Sequence, residues 1–122
     1  KAALQSAEIC ESEGLPLNRF AWFHANKAHE YQTLYSLGKK GVYLSLDYGK
    51  ETAELLLHLR TDGLWNKILV SMDSGWYNPR GGVIHGYTDM FKNLFPTLQS
   101  KGVSQEELYV LAHQNVFDAY AR

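Results

Sequence analysis

The chain has one cysteine, three prolines and no surplus of either charge, and each scarcity excludes something. With Cys10 alone, no disulfide can form within the chain and no cysteine-rich metal site can be built. Twelve lysines and arginines stand against 13 aspartates and glutamates, a net charge of −1. No basic stripe therefore points to nucleic acid, and no charge run reads as a tail. No apolar run approaches the roughly 18 residues that a membrane-spanning helix needs, so no membrane partner is expected. The five histidines form no H-x-H or HExxH pair, and there is no G-x-S-x-G elbow, P-loop or G-x-G-x-x-G. The opening Lys1-Ala2-Ala3-Leu4-Gln5 has neither an initiating Met nor a signal-peptide pattern, and it starts inside a helical periodicity. Further residues upstream are expected, and no cellular address is readable.

What is present is a set of three short apolar runs, each stopping at a polar residue. They are Arg19-Phe20-Ala21-Trp22-Phe23-His24, Val42-Tyr43-Leu44-Ser45-Leu46-Asp47 and Ile68-Leu69-Val70-Ser71-Met72-Asp73. Stretches with helical periodicity lie between them. A strand–helix repeat of this length is what a parallel βα array produces, and the chemistry of such arrays gathers at the C-terminal strand ends. His24, Asp47 and Asp73 are thus candidates for one shared site.

The pattern predicts a helix over 2–13, stopped by Gly14, Leu15 and Pro16, and a first strand over 19–24. A helix over about 27–38 and a strand over 42–47 follow, then a helix over about 50–61 and a strand over 67–73. A Gly-rich loop carrying Trp76, Tyr77, Pro79, Gly81 and Gly82 precedes a helix over about 87–100, which Pro96 should kink or break. Ser104 and Glu107 form a capping-box signature for a helix to about 113, with a short helical turn at about 115–121. The alternation favours an α/β fold with a parallel sheet, on a chain long enough for one ordinary domain.

Strand alternation puts Phe20, Trp22, Tyr43, Ser45, Leu69 and Ser71 on the side of His24, Asp47 and Asp73. Ala21, Phe23, Val42, Leu44, Leu46, Ile68, Val70 and Met72 fall on the other. One side is uniformly apolar and suits covering helices. The other is mixed, with serines beneath the charged ends, as expected of a barrel interior.

These residues resemble a known family. Phe20-Ala21-Trp22-Phe23-His24-Ala25-Asn26, Leu44-Ser45-Leu46-Asp47 and Val70-Ser71-Met72-Asp73-Ser74-Gly75-Trp76-Tyr77 stand in that order. Gly81-Gly82, Gly86-Tyr87-Thr88, Phe95-Pro96, Leu98, Gly102-Val103-Ser104 and Asn115 follow. This is similar to the C-terminal part of the phosphotriesterase-like branch of the amidohydrolase superfamily. The resemblance implies strands 6–8, with flanking helices, of a (β/α)8 TIM barrel. Residues 1–122 would be a partial TIM-barrel domain whose N-terminal strands are missing.

The resemblance further implies a hydrolase with two divalent metals, commonly zinc, cleaving an ester, lactone or related bond by metal-activated hydroxide. His24 matches the family's strand-six ligand and Asp73 its strand-eight ligand, the latter also accepting the proton of the attacking water. The remaining ligands belong to strands upstream of Lys1. Asp47 would orient a substrate or leaving group, with a structural salt bridge as the alternative. Trp76 and Tyr77 would line the pocket or pack on the rim, and Tyr48 stands in the substrate region. Organophosphate-cleaving members carry an acid and a His where this chain has Lys27 and Tyr48, so phosphotriester hydrolysis is not the expected native reaction. The family's terminal Asn-Pro pair reads Asn115-Val116, which should loosen the last turn.

Plainer readings stand beside these. Asp73 could merely cap its loop, and His24 could be a hydrogen-bonded barrel histidine. Asn26 is expected to N-cap the following helix. His85 could contact an anion, His29, His58 and His113 should be solvated or locally bonded, and Cys10 should be buried in its helix. Three unclosed strands would expose two sheet edges and the inner face carrying Phe20 and Trp22. The chain is therefore expected to need the missing N-terminal part or self-association, to take a small-molecule substrate only when completed, and to be inactive alone. The other function class left open is a degenerate or stand-alone module that binds a small molecule or partner without turnover.

Overall fold

The computed structural model describes residues 2–28, 30–74, 77–78, 83–84 and 86–121, the residues at 77–78 and 83–84 by their backbone alone. Helix α1 (Ala2–Ser12) leads through Leu17–Arg19, one turn of 3-10 helix, into β1 (Ala21–Trp22). Next come α2 (Tyr31–Lys39), β2 (Tyr43–Asp47), α3 (Thr52–Thr61) and β3 (Ile68–Ser71). The three strands form one parallel sheet in the order β1-β2-β3, with Ala21 opposite Tyr43 and Leu44 opposite Ile68. Alternating helix and strand in parallel register is what the sequence pattern predicts, because a parallel neighbour must be reached by a crossover.

The helices cover one face. Leu34, Leu37, Val42, Leu44, Leu46, Leu56, Leu59 and Ile68 are 0–1% exposed and form a single apolar cluster. Each such leucine or isoleucine contributes about 1.5–3 kcal/mol by leaving water. Gly38 lets α2 approach closely: a Cβ there would stand 3.1 Å from both methyls of Leu64.

Several expected boundaries move. The strand expected over 19–24 is only two residues long, because Arg19 and Phe20 close a 3-10 turn back onto Pro16 and Leu17. The strand expected over 67–73 stops at Ser71. The Gly-rich loop contains a short antiparallel pair, β4 (Tyr77–Asn78) with β5 (Val83–Ile84), whose two-residue strands are too short for periodicity to reveal. The inner face is less open than expected. Tyr43, Ser45 and Leu69 are buried, while Phe20 and Trp22 are half-buried against the core rather than exposed. Cys10 is likewise half-buried.

At Pro96 the helix does not break. A π turn over Met90–Leu94 runs straight into α4 (Phe95–Ser100), and the wider turn accommodates the backbone donor that Pro96 lacks. The capping box is present: Glu107 N donates to Ser104 Oγ and Ser104 N donates to a Glu107 carboxylate oxygen. From there α5 (Gln105–Tyr109), a π turn (Val110–Gln114) and α6 (Asn115–Tyr120) form one unbroken rod. The expected stop near 113 and loosened last turn are therefore absent; Val116, unlike proline, keeps its N–H. Among the described residues no helix is long and apolar enough to cross a membrane.

Candidate metal centre

The three polar residues that end the apolar runs do meet, although by turn geometry more than by strand alternation. Asp47 is the last residue of the central strand and is 5% exposed. His24 and Asp73 each lie two residues beyond their strands, in left-handed backbone with φ of 56° and 45°. They are the only non-glycine residues with positive φ among those described, a conformation that costs about 1 kcal/mol or more per residue. The four other positive-φ positions are Gly14, Gly41, Gly63 and Gly102. At the two turns where glycine would be easiest, the chain has a histidine and an aspartate. Strain kept by groups that can ligate a cation makes these two turns candidates for a functional site.

Asp47 is the hub. His24 Nδ1 lies 2.6 Å from Asp47 Oδ2, and Ser71 Oγ donates to Oδ1 at 2.7 Å. Lys27 Nζ lies 3.5 Å from the same Oδ2 and 3.3 Å from Asp73 Oδ2. Burial pushes the Asp47 carboxyl up, but hydrogen bonds from His24 and Ser71, with the charges of His24 and Lys27, outweigh it and hold it below the usual carboxylate range. The hydrogen bond to Asp73, opposed by burial and aided by attraction to both carboxylates, raises the Lys27 ammonium above its ordinary value. Lys27 is accordingly a cation at neutral pH.

Asn26 is placed differently from expectation. It does not cap α2, whose N-cap is Glu30; its amide instead clasps the end of β2. Nδ2 donates to the Asp47 carbonyl at 3.1 Å, and Asp47 N donates to Oδ1 at 3.0 Å. Thr52 Oγ1 donates a second bond to that carbonyl at 2.8 Å. These contacts fix Asp47 from its backbone. Only the Asp/Asn/Thr composition of the two loops hinted at them.

Of the other residues singled out, Tyr48 continues the pairing through its N–H to Ser71 O, and its ring packs half-buried against the apolar core. Tyr77 lies in β4, described by backbone only, and Trp76, His85 and His29 lie outside the described residues. His58 is exposed with its ring 5.5 Å from that of Tyr31, and His113 stacks on Tyr109.

One ligand atom each from His24, Asp47 and Asp73 lies within 4.8 Å of the other two. Bonds of about 2.1 Å in a tetrahedron bring two ligand atoms to roughly 3.4 Å, a separation that fits inside that span. The donor set fits a divalent ion: imidazole and carboxylate oxygens suit zinc or manganese. With Nδ1 committed to Asp47, His24 would offer Nε2, and Asp47 would act as the outer carboxylate that fixes the ring. Asp73 would supply the oxygen.

A parallel βα sheet bearing a histidine–carboxylate cluster at its C-terminal strand ends defines the class: a fragment-sized α/β unit with a candidate metal site at the sheet's functional edge. The chain belongs to the phosphotriesterase family, whose model matches residues 1–118. It is 25% identical over 123 residues to the phosphotriesterase homology protein of Escherichia coli K12, covering 92% of this chain and 41% of that one. The crystal structure of the E. coli phosphotriesterase homology protein with phosphate in its active site superposes with a TM-score of 0.81 at 22% identity. That match covers 98% of this chain and 44% of the other. The chain therefore spans less than half the length of these relatives.

Proposed function

We propose that the chain is the C-terminal part, strands 6–8, of a (β/α)8 barrel that hydrolyses an ester, lactone or related bond with divalent metal, zinc being the leading candidate and two ions the complement of a complete site. The observation that carries this reading is that strained, non-glycine turns bring ligand atoms of His24 and Asp73 within 4.8 Å of each other and of Asp47. A divalent ion held there would lower the pKa of a water and polarise the bond to be cleaved.

The residues divide the work. Asp47, held by Ser71 and Asn26, engages His24 Nδ1 and would leave Nε2 as the atom to ligate a cation. The Asp73 carboxylate, 44% exposed, would hold the cation and take the proton of the attacking hydroxide. Trp76, Tyr77 and Tyr48 would border the small-molecule substrate on the rim. Neither nucleic acid nor membrane is proposed as a partner.

The test is to complete the chain with the upstream part of a barrel and assay ester and lactone panels with Zn²⁺ or Mn²⁺. Metal-dependent turnover that Asp73→Asn abolishes, with the circular dichroism unchanged, is expected. The isolated chain is expected to show none. Tight ligand binding without turnover in the completed, metal-loaded protein would instead identify a binding module.

A further inference from the structure

The widest departure from a metal-ready geometry lies at Lys27. Its ammonium occupies the gap between the two carboxylates, 3.3 Å from Asp73 and 3.5 Å from Asp47. Those are ammonium distances, more than 1 Å longer than the roughly 2.0–2.2 Å of a metal–carboxylate bond. The lysine side chain is 61% exposed, so it can leave toward solvent without crossing packed atoms.

We propose that Lys27 is a tethered counter-ion of this centre, holding Asp47 and Asp73 together until a divalent cation displaces it. The proposal rests on the metal-centre reading above and adds its regulation. Lys27 sets one ammonium between two carboxylates, of which Asp47 is also hydrogen-bonded by His24 and Ser71. With it, an incoming ion must break two ion pairs before it closes the cluster to bonding distance. Lys27 thus acts as a positioning residue that stabilises the metal-free site and sets a threshold for loading. The size of the effect is modest, because half-exposed ion pairs are individually weak.

Calorimetric titration of the chain with Zn²⁺ tests this in the parent, Lys27→Met, Lys27→Arg and Asp73→Asn. Lys27→Met is expected to bind Zn²⁺ about three- to tenfold more tightly, the scale of two such pairs, and to melt lower than the parent without Zn²⁺ but not at saturation. Lys27→Arg, which keeps the charge, should bind like the parent. Zn²⁺ should also speed reductive methylation of the Lys27 amine in the parent chain, a readout that needs no variant to fold. If the parent binds Zn²⁺, Asp73→Asn does not, and Lys27→Met matches the parent, the counter-ion proposal is overturned while the metal centre stands. If no form binds Zn²⁺, the counter-ion proposal is overturned, while the hydrolase reading stands or falls on the completed protein.

Discussion

The two ends of the sheet carry comparable numbers of polar contacts and use them in opposite ways. At the end where the strands begin, Asn115 is 1% exposed and donates through Nδ2 to the carbonyls of Trp65 and Ile68, both at 2.8 Å. Beside it Trp65 Nε1 donates to the Glu107 carbonyl, and Arg60 meets the Glu107 carboxylate in a two-pronged pair at 2.6 and 2.9 Å. The positive φ needed there falls on Gly102, whose carbonyl accepts from Arg60. At the end where the strands finish, positive φ falls on His24 and Asp73, and half-exposed charges crowd around one buried carboxylate. One end is saturated and relaxed; the other is strained and open. The first holds the fold, and the second is equipped to act.

That contrast can be broken most severely at Asn115. Asn115→Ala takes a donor from the buried Ile68 carbonyl and one from the Trp65 carbonyl, which keeps the Ile68 N–H, and leaves a small void; it should cost about 2–4 kcal/mol, read as a lowered urea midpoint. Zn²⁺ binding by whatever fraction remains folded should be unaffected.

Asp47→Ala comes next, at about 2 kcal/mol, because it strips His24, Ser71 and Lys27 of their shared acceptor. Here Zn²⁺ affinity should fall as well, since the His24 ring is no longer oriented. The same carboxylate predicts a pH dependence. Its folded pKa is depressed, so its contribution is complete above the unfolded carboxylate value near 4 and is lost as pH falls through the folded one. Urea midpoints between pH 6 and 2 should therefore fall more steeply in the parent than in Asp47→Asn.

Arg60→Met probes the opposite end with a smaller effect. The pair with Glu107 is about one-third exposed, so a loss near 1 kcal/mol is expected, and it should shrink as salt is added. The smallest and most telling change is Asp73→Gly. Relief of the positive φ should leave stability unchanged or raise it by up to about 1 kcal/mol in thermal melts, while Zn²⁺ binding disappears. Loss of Zn²⁺ binding without loss of stability is the result that would set this end apart from the other.

Much of this was readable in the residues. The period-2 runs around Leu44 and Ile68 and the helical repeats between them give the parallel sheet, and Ser104 with Glu107 gives the cap. His24, Asp47 and Asp73 stand out because polar groups end apolar runs. What could not be read are features set by tertiary contact. The left-handed turns at His24 and Asp73 have no periodic signature. The Asn26 clasp on Asp47 joins residues 21 positions apart, and the Asn115 bonds to Ile68 span 47. Lys27 was visible as a departure from family pattern, but its place between two carboxylates needed the fold to bring β2 and β3 alongside.

The most direct measurement is a crystal of the chain soaked in Zn²⁺ and read by anomalous scattering at the zinc edge. The account predicts a peak bonded to His24 Nε2 and an Asp73 carboxylate oxygen, with Asp47 still on His24 Nδ1 and Lys27 turned away. A zinc-free cluster at saturating metal, or a peak that touches neither His24 nor Asp73, would contradict it.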